Sequence, residues 1–146
     1  MERRIEHETA ADVGRVRSVV RDLATYPRWL SIVSRVEPAP EHVDDDGPAW
    51  FVTLRARLGR FSRAKRLRMV RTTDDGDLVV FERLEHDGRR HSLWRMTAQV
   101  DDAGDRTSLS IDLRYDGGLL EPVVSRLLDR EVEESRPRLE AVLVEA

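Results

Sequence analysis

The sequence predicts an α+β protein: a curved antiparallel sheet of about seven strands wrapped on a long C-terminal helix, with two short helices after the first strand. Three observations carry that expectation. Apolar residues recur at three-and-four spacing near the C-terminus, at Leu120, Val123, Val124, Leu127, Leu128, Val132, Leu139 and Val144, with charged residues from Arg126 to Glu140 on the other side. The middle of the chain alternates apolar and polar residues with period two, the pattern of half-buried strands. Short clusters of Asp and Gly separate those runs and read as turns.

Each element has a local cause. Residues 3–9 alternate as a strand, with Ile5, His7 and Thr9 on one face. Asp12 is placed to cap a helix bearing Val13, Val16, Val19, Val20 and Leu23. Ala24 to Pro27 breaks it, and Pro27 opens a second short helix through Trp29 and Leu30. A weaker strand at residues 32–37 precedes five clearer ones. In the first of these Trp50, Val52, Leu54, Ala56 and Leu58 alternate with Phe51, Thr53, Arg55 and Arg57. The others cover 64–73, 78–85, 90–100 and 107–115. Gly117 and Gly118 close the last strand, and Pro122 stands in the first turn of the long helix, where a missing N–H costs no intrahelical bond. Pro137 should remove one such bond and bend the helix.

Hairpin counting assigns the faces. A two-residue turn at Asp87-Gly88 sets Arg83 opposite Ser92 and Phe81 opposite Trp94. The face carrying Val79, Phe81, Arg83, Ser92, Trp94, Met96, Ala98 and Val100 is the more apolar and should meet the long helix. A three-residue turn at residues 74–76 adds Leu67 and Met69 to that face and sets Arg68 against Glu82 outside.

Composition narrows the function. The 146 residues suit one domain, and a net charge of −3 gives no global attraction to nucleic acid or anionic membranes. The chain has no cysteine, which removes disulfides and thiolate chemistry. The N-terminus lacks the apolar core of a signal peptide and no run could span a bilayer, so a cytoplasmic protein, not integral to a membrane, is expected. No phosphate loop, dinucleotide fingerprint or nucleophile elbow occurs, and no cofactor is expected. His86 and His91 flank a hairpin without tight ligand spacing, so no metal site is expected.

The order strand, two short helices, six strands and a long helix is that of the helix-grip fold. The run Val20 to Trp29, Phe81-Glu82-Arg83 before Asp87-Gly88, and Tyr115 with Gly117-Gly118 resemble the START-like (SRPBCC) superfamily in its polyketide cyclase/dehydrase-like branch. The resemblance spans essentially the whole chain and implies a single ligand-binding domain over residues 1–146. It also implies a hydrophobic or amphipathic ligand, lipid-like or polyketide-like, held between sheet and helix; the alternatives are a cyclase or dehydratase and a non-catalytic partner module.

Candidate ligand-binding residues are Tyr26, Trp29, Trp50, Leu54, Met69, Phe81, Arg83, Ser92, Trp94, Tyr115, Leu120 and Val124. The aromatic ones either line a pocket or fill the core. Arg83, set among apolar neighbours, needs a partner: a ligand anion, or Glu85 or Tyr115. For chemistry the candidates are His7 as a general base, Arg83 polarising a carbonyl, and Tyr115 moving a proton. Eight basic residues and no acid lie between Arg55 and Arg71. That strip is either a dock for an acidic protein or anionic surface, or a solvated outer face answered by neighbouring Glu and Asp. No aromatic platform accompanies it, so nucleic acid is not expected there.

Overall fold

The computed structural model describes residues 1–145, apart from the side chains of residues 58, 61 and 119, so the place of Leu58 in the expected alternation lies outside the description. Seven strands, β1 (Glu2–Thr9), β2 (Val33–Ala39), β3 (Ala49–Leu58), β4 (Phe61–Asp74), β5 (Leu78–Arg83), β6 (Leu93–Asp102) and β7 (Thr107–Asp116), form one antiparallel sheet in the order β1-β7-β6-β5-β4-β3-β2. The helices are α1 (Val13–Val20), a short 3-10 helix (Leu23–Arg28) and the long α2 (Glu121–Leu143).

The local signals act as expected at the start of α1, where the Asp12 carboxylate accepts from the Gly14 N–H. The second helix differs from expectation. It begins at Leu23, capped by Asp22 onto the Ala24 N–H, and Pro27 lies inside it. Asp22 supplies the start signal, so the helix opens four residues before Pro27, the position expected to open it. At the C-terminus, α2 has Pro122 in its first turn and continues through Pro137 to Leu143.

The core lies between the concave face and the helices: Ile5, Val52, Leu67, Val79, Phe81, Ala98, Val100, Leu109 and Ile111 from the strands meet Val16, Val19, Val20, Leu128, Leu139 and Leu143. Two polar residues sit within the buried stripe of α2. Glu131 accepts from the backbone N–H groups of Ser31 and Ile32 and from the Ser31 hydroxyl, fastening the helix to the start of β2. Ser135, one turn on, is fully buried.

Two hairpin registers differ from the expected ones. β5 and β6 pair Phe81 with Met96 and Glu82 with Arg95, and residues 84–92 form a loop rather than a two-residue turn. Side chains hold that loop open: Arg83 binds Glu85 and Ser92, and Asp87 caps the Arg89 N–H and binds His91. Between β4 and β5, Met69 opposes Arg83 and a bulge intervenes between Arg71 and Thr73. Arg68 therefore does not meet Glu82, which pairs with Arg95 instead. Both corrections displace the register by two up to the bulge, so Leu67, Met69 and the β5 and β6 side chains keep the faces assigned to them, and only Thr73 and Asp74 beyond the bulge change face.

The segment between β2 and β3 folds back over the convex face. A Cβ on Gly47 would lie 2.2 Å from the Arg71 carbonyl oxygen, so only glycine permits this approach. Behind it Asp45 grips Arg68 through both carboxylate oxygens, at 2.6 and 3.1 Å, and Arg68 also donates to the carbonyls of Pro40 and Leu84.

Candidate functional site

The site begins with the two halves of α2. From Leu128 onward the helix presses its stripe onto the core, whereas Val123, Val124 and Leu127 are only half-buried and Leu120 is exposed. Those first two turns stand over a hollow of about 270 Å³, near the ~300 Å³ lower end for small-molecule pockets. Its walls are Val123, Val124 and Leu127 from the helix, Leu54 and Ala56 from β3, and Trp94 and Tyr115 from β6 and β7. A smaller apolar void of about 60 Å³ lies deeper, among Tyr26, Leu67, Met69, Phe81 and Met96. Ile32, Leu54 and Trp94 border both.

Local packing explains why the hollow stays open. Trp94 and Tyr115 are cross-strand partners whose rings tilt together at 4.6 Å between centroids. Gly117 lets the chain turn tightly over that pair, since a Cβ there would fall 1.8 Å from the Tyr115 hydroxyl. The turn starts α2 above the rings rather than against β3 and β4. The Trp94 indole N–H is buried without a hydrogen-bond partner among the described residues.

Of the ligand-binding candidates, Tyr26, Met69 and Phe81 line the inner void, Tyr115, Leu120 and Val124 line the outer one, and Leu54 and Trp94 line both. Tyr26 donates its hydroxyl to the Val20 carbonyl, and burial pushes its phenol well above the ordinary value, so it remains a neutral wall. Trp29, Trp50, Arg83 and Ser92 border neither void. Trp29 is fully buried against Tyr26, and Trp50 meets the edge of Phe81 beneath Arg71. Arg83 does lie on the concave face, but its guanidinium binds Glu85 at 2.5–2.6 Å and the Ser92 hydroxyl at 3.0 Å.

The three chemistry candidates are not brought together. His7 holds Glu140 of α2 and borders neither void, Arg83 is engaged by Glu85, and only Tyr115 reaches the hollow. The strip from Arg55 to Arg71 divides by strand alternation. Arg55, Arg57, Arg66 and Arg68 take the convex side, whereas Arg63 and Lys65 share the concave side with Leu67 and Met69, because Lys65 pairs with Leu54 and Arg63 with Ala56. Arg63, Lys65, Val123, Leu127 and Ile32 were not among the candidates. Counting back by twos from Leu67 would have found both cations.

Among the described residues one cluster has ligand atoms suited to a cation: His42, Asp44 and His86 offer one each within 4.8 Å at the exposed convex surface. The two imidazoles stack at 3.7 Å between centroids, and His86 is bonded to Asp45. Among the described residues no helix is long and apolar enough to cross a membrane.

Known structures share this architecture. A protein from Thermus thermophilus superposes with a TM-score of 0.74 at 22% identity, covering 99% of this chain and 97% of its own. A START superfamily protein from Mycobacterium smegmatis gives a TM-score of 0.71 at 16% identity, covering 97% and 96%. The di-domain ARO/CYC BexL from the BE-7585A biosynthetic pathway gives 0.67 at 13% identity, with 99% of this chain matched to 48% of that one. At these identities the likeness is one of fold. No curated protein matches the sequence. The profile for polyketide cyclase / dehydrase and lipid transport proteins matches residues 3–144, and the chain belongs to that family.

Proposed function

We propose that the protein binds a small hydrophobic or amphipathic molecule, lipid-like or polyketide-like, between the concave sheet and the first two turns of α2. One observation carries this: Val123, Val124 and Leu127 form an apolar stripe over a hollow of about 270 Å³ instead of packing on the sheet. Unfilled apolar space forfeits dispersion contacts, and a ligand restores them. Binding is favoured over catalysis because His7 and Arg83 are held by Glu140 and Glu85, so that of the three chemistry candidates only Tyr115 reaches the hollow.

Uptake of Nile red, an uncharged environment-sensitive dye, tests the proposal. The folded protein should brighten the dye, and Val124→Trp, which fills the hollow, should abolish the signal while leaving the thermal midpoint within a few degrees. No uptake by the parent protein, or undiminished uptake by a folded Val124→Trp variant, overturns it.

A further inference from the structure

The concave side of β4 reads, every second residue, Arg63, Lys65, Leu67, Met69. Strand rise sets that track at about 20 Å end to end. Arg63 and Lys65 border the outer hollow, and Leu67 and Met69 line the inner void. Both cations are solvent-exposed at the mouth of the hollow. Neither makes an ion pair or side-chain hydrogen bond with any described residue, a state they share with the solvated Arg57 and Arg60, and what sets them apart from those two is their place at the hollow. Arg55 also borders the hollow, and the other walls beside the two cations, Leu54, Ala56, Val124 and Leu127, are apolar.

We infer that the ligand is a single-chain amphiphile with an anionic head, a carboxylate of the fatty-acid kind. Its head lies between Arg63 and Lys65 and its chain runs past Leu54 toward Trp94. This rests on the hollow being the ligand site, as proposed above. The polarity of the track supplies the orientation: charge-assisted hydrogen bonds hold the head at the open end, and apolar burial holds the chain within. A volume near the lower end for ligand pockets suits one chain better than two.

Displacement of Nile red by decanoate and by decanol, each below its aggregation concentration, tests the inference. Decanoate should compete at about tenfold lower concentration than decanol, a difference of about 1.4 kcal/mol. The preference should collapse at about 1 M salt, where the screening length falls to ~3 Å. It should collapse equally in Arg63→Gln/Lys65→Gln, with decanol unaffected and the melting curve unchanged. Equal competition by the two probes overturns the inference while leaving the hollow as a ligand site. Failure of the dye to enter at all overturns both. Binding to phosphatidylglycerol vesicles without displacement by monomeric decanoate assigns the cations to a membrane surface and also overturns it.

Discussion

Arg68 and Lys65 belong to one strand and one run of positive charge, yet the fold treats them oppositely. Arg68 faces the convex side and is nearly enclosed: two Asp45 oxygens and two carbonyls take its guanidinium protons, and its side chain is 9% exposed. Lys65 faces the concave side, beside a hollow, with no partner among the described residues. The difference teaches that a run of like charge has no function as a unit. Alternation sends its members to two faces, and what the rest of the chain brings to each face decides between structure and binding. At the Arg68 end the 40–48 loop brings Asp45, made possible by Gly47; at the Lys65 end α2 brings only Val123, Val124 and Leu127.

The largest effect expected from this contrast is on stability at the enclosed end. Asp45→Ala leaves a buried guanidinium without its carboxylate and should cost about 3–5 kcal/mol, read by chemical or thermal unfolding. The hydrogen bond from Arg68 holds the Asp45 carboxyl well below the usual carboxylate range, despite the opposing effect of burial. A group whose folded value is depressed stabilises above its unfolded value and loses that contribution as pH falls. The parent protein should therefore lose stability below about pH 4 more steeply than Asp45→Ala. Unfolding midpoints that coincide at neutral pH would remove the structural half of the contrast.

A smaller effect is expected at Arg83, which shares the concave face with Lys65 but has Glu85 as partner. Arg83→Met should cost about 1–3 kcal/mol, because Glu85 is more accessible than Asp45 and its orphaned charge is better solvated. Nile red uptake should be unchanged, since Arg83 borders neither void. A loss of uptake in a variant as stable as the parent would return Arg83 to the ligand.

Much of this was legible in short stretches. Period-two alternation gives the concave faces of β3 to β6, and those faces hold despite two different hairpin registers because β5–β6, and β4–β5 up to its bulge, each move by two residues. The loop from residue 84 to 92 was not legible as such, because side-chain bonds of Arg83 and Asp87 hold it open rather than turn chemistry. Glu131 was hidden for a related reason: its partner Ser31 lies 100 residues away, and only the assembled fold makes a carboxylate tolerable in the stripe of α2. The hollow itself was expected between sheet and helix, but its position under the first two turns depends on Gly117 seating the chain over Tyr115.

The central claim is that the ligand occupies the space beneath the first two turns of α2, and methyl-resolved NMR during a decanoate titration tests it most directly. The methyl resonances of Leu54, Val123, Val124 and Leu127 should shift together and saturably, while those of Val16, Val19 and Val20, packed within the core, stay in place. Shifts confined to methyls outside the hollow, or no saturable shift at all, would contradict the account.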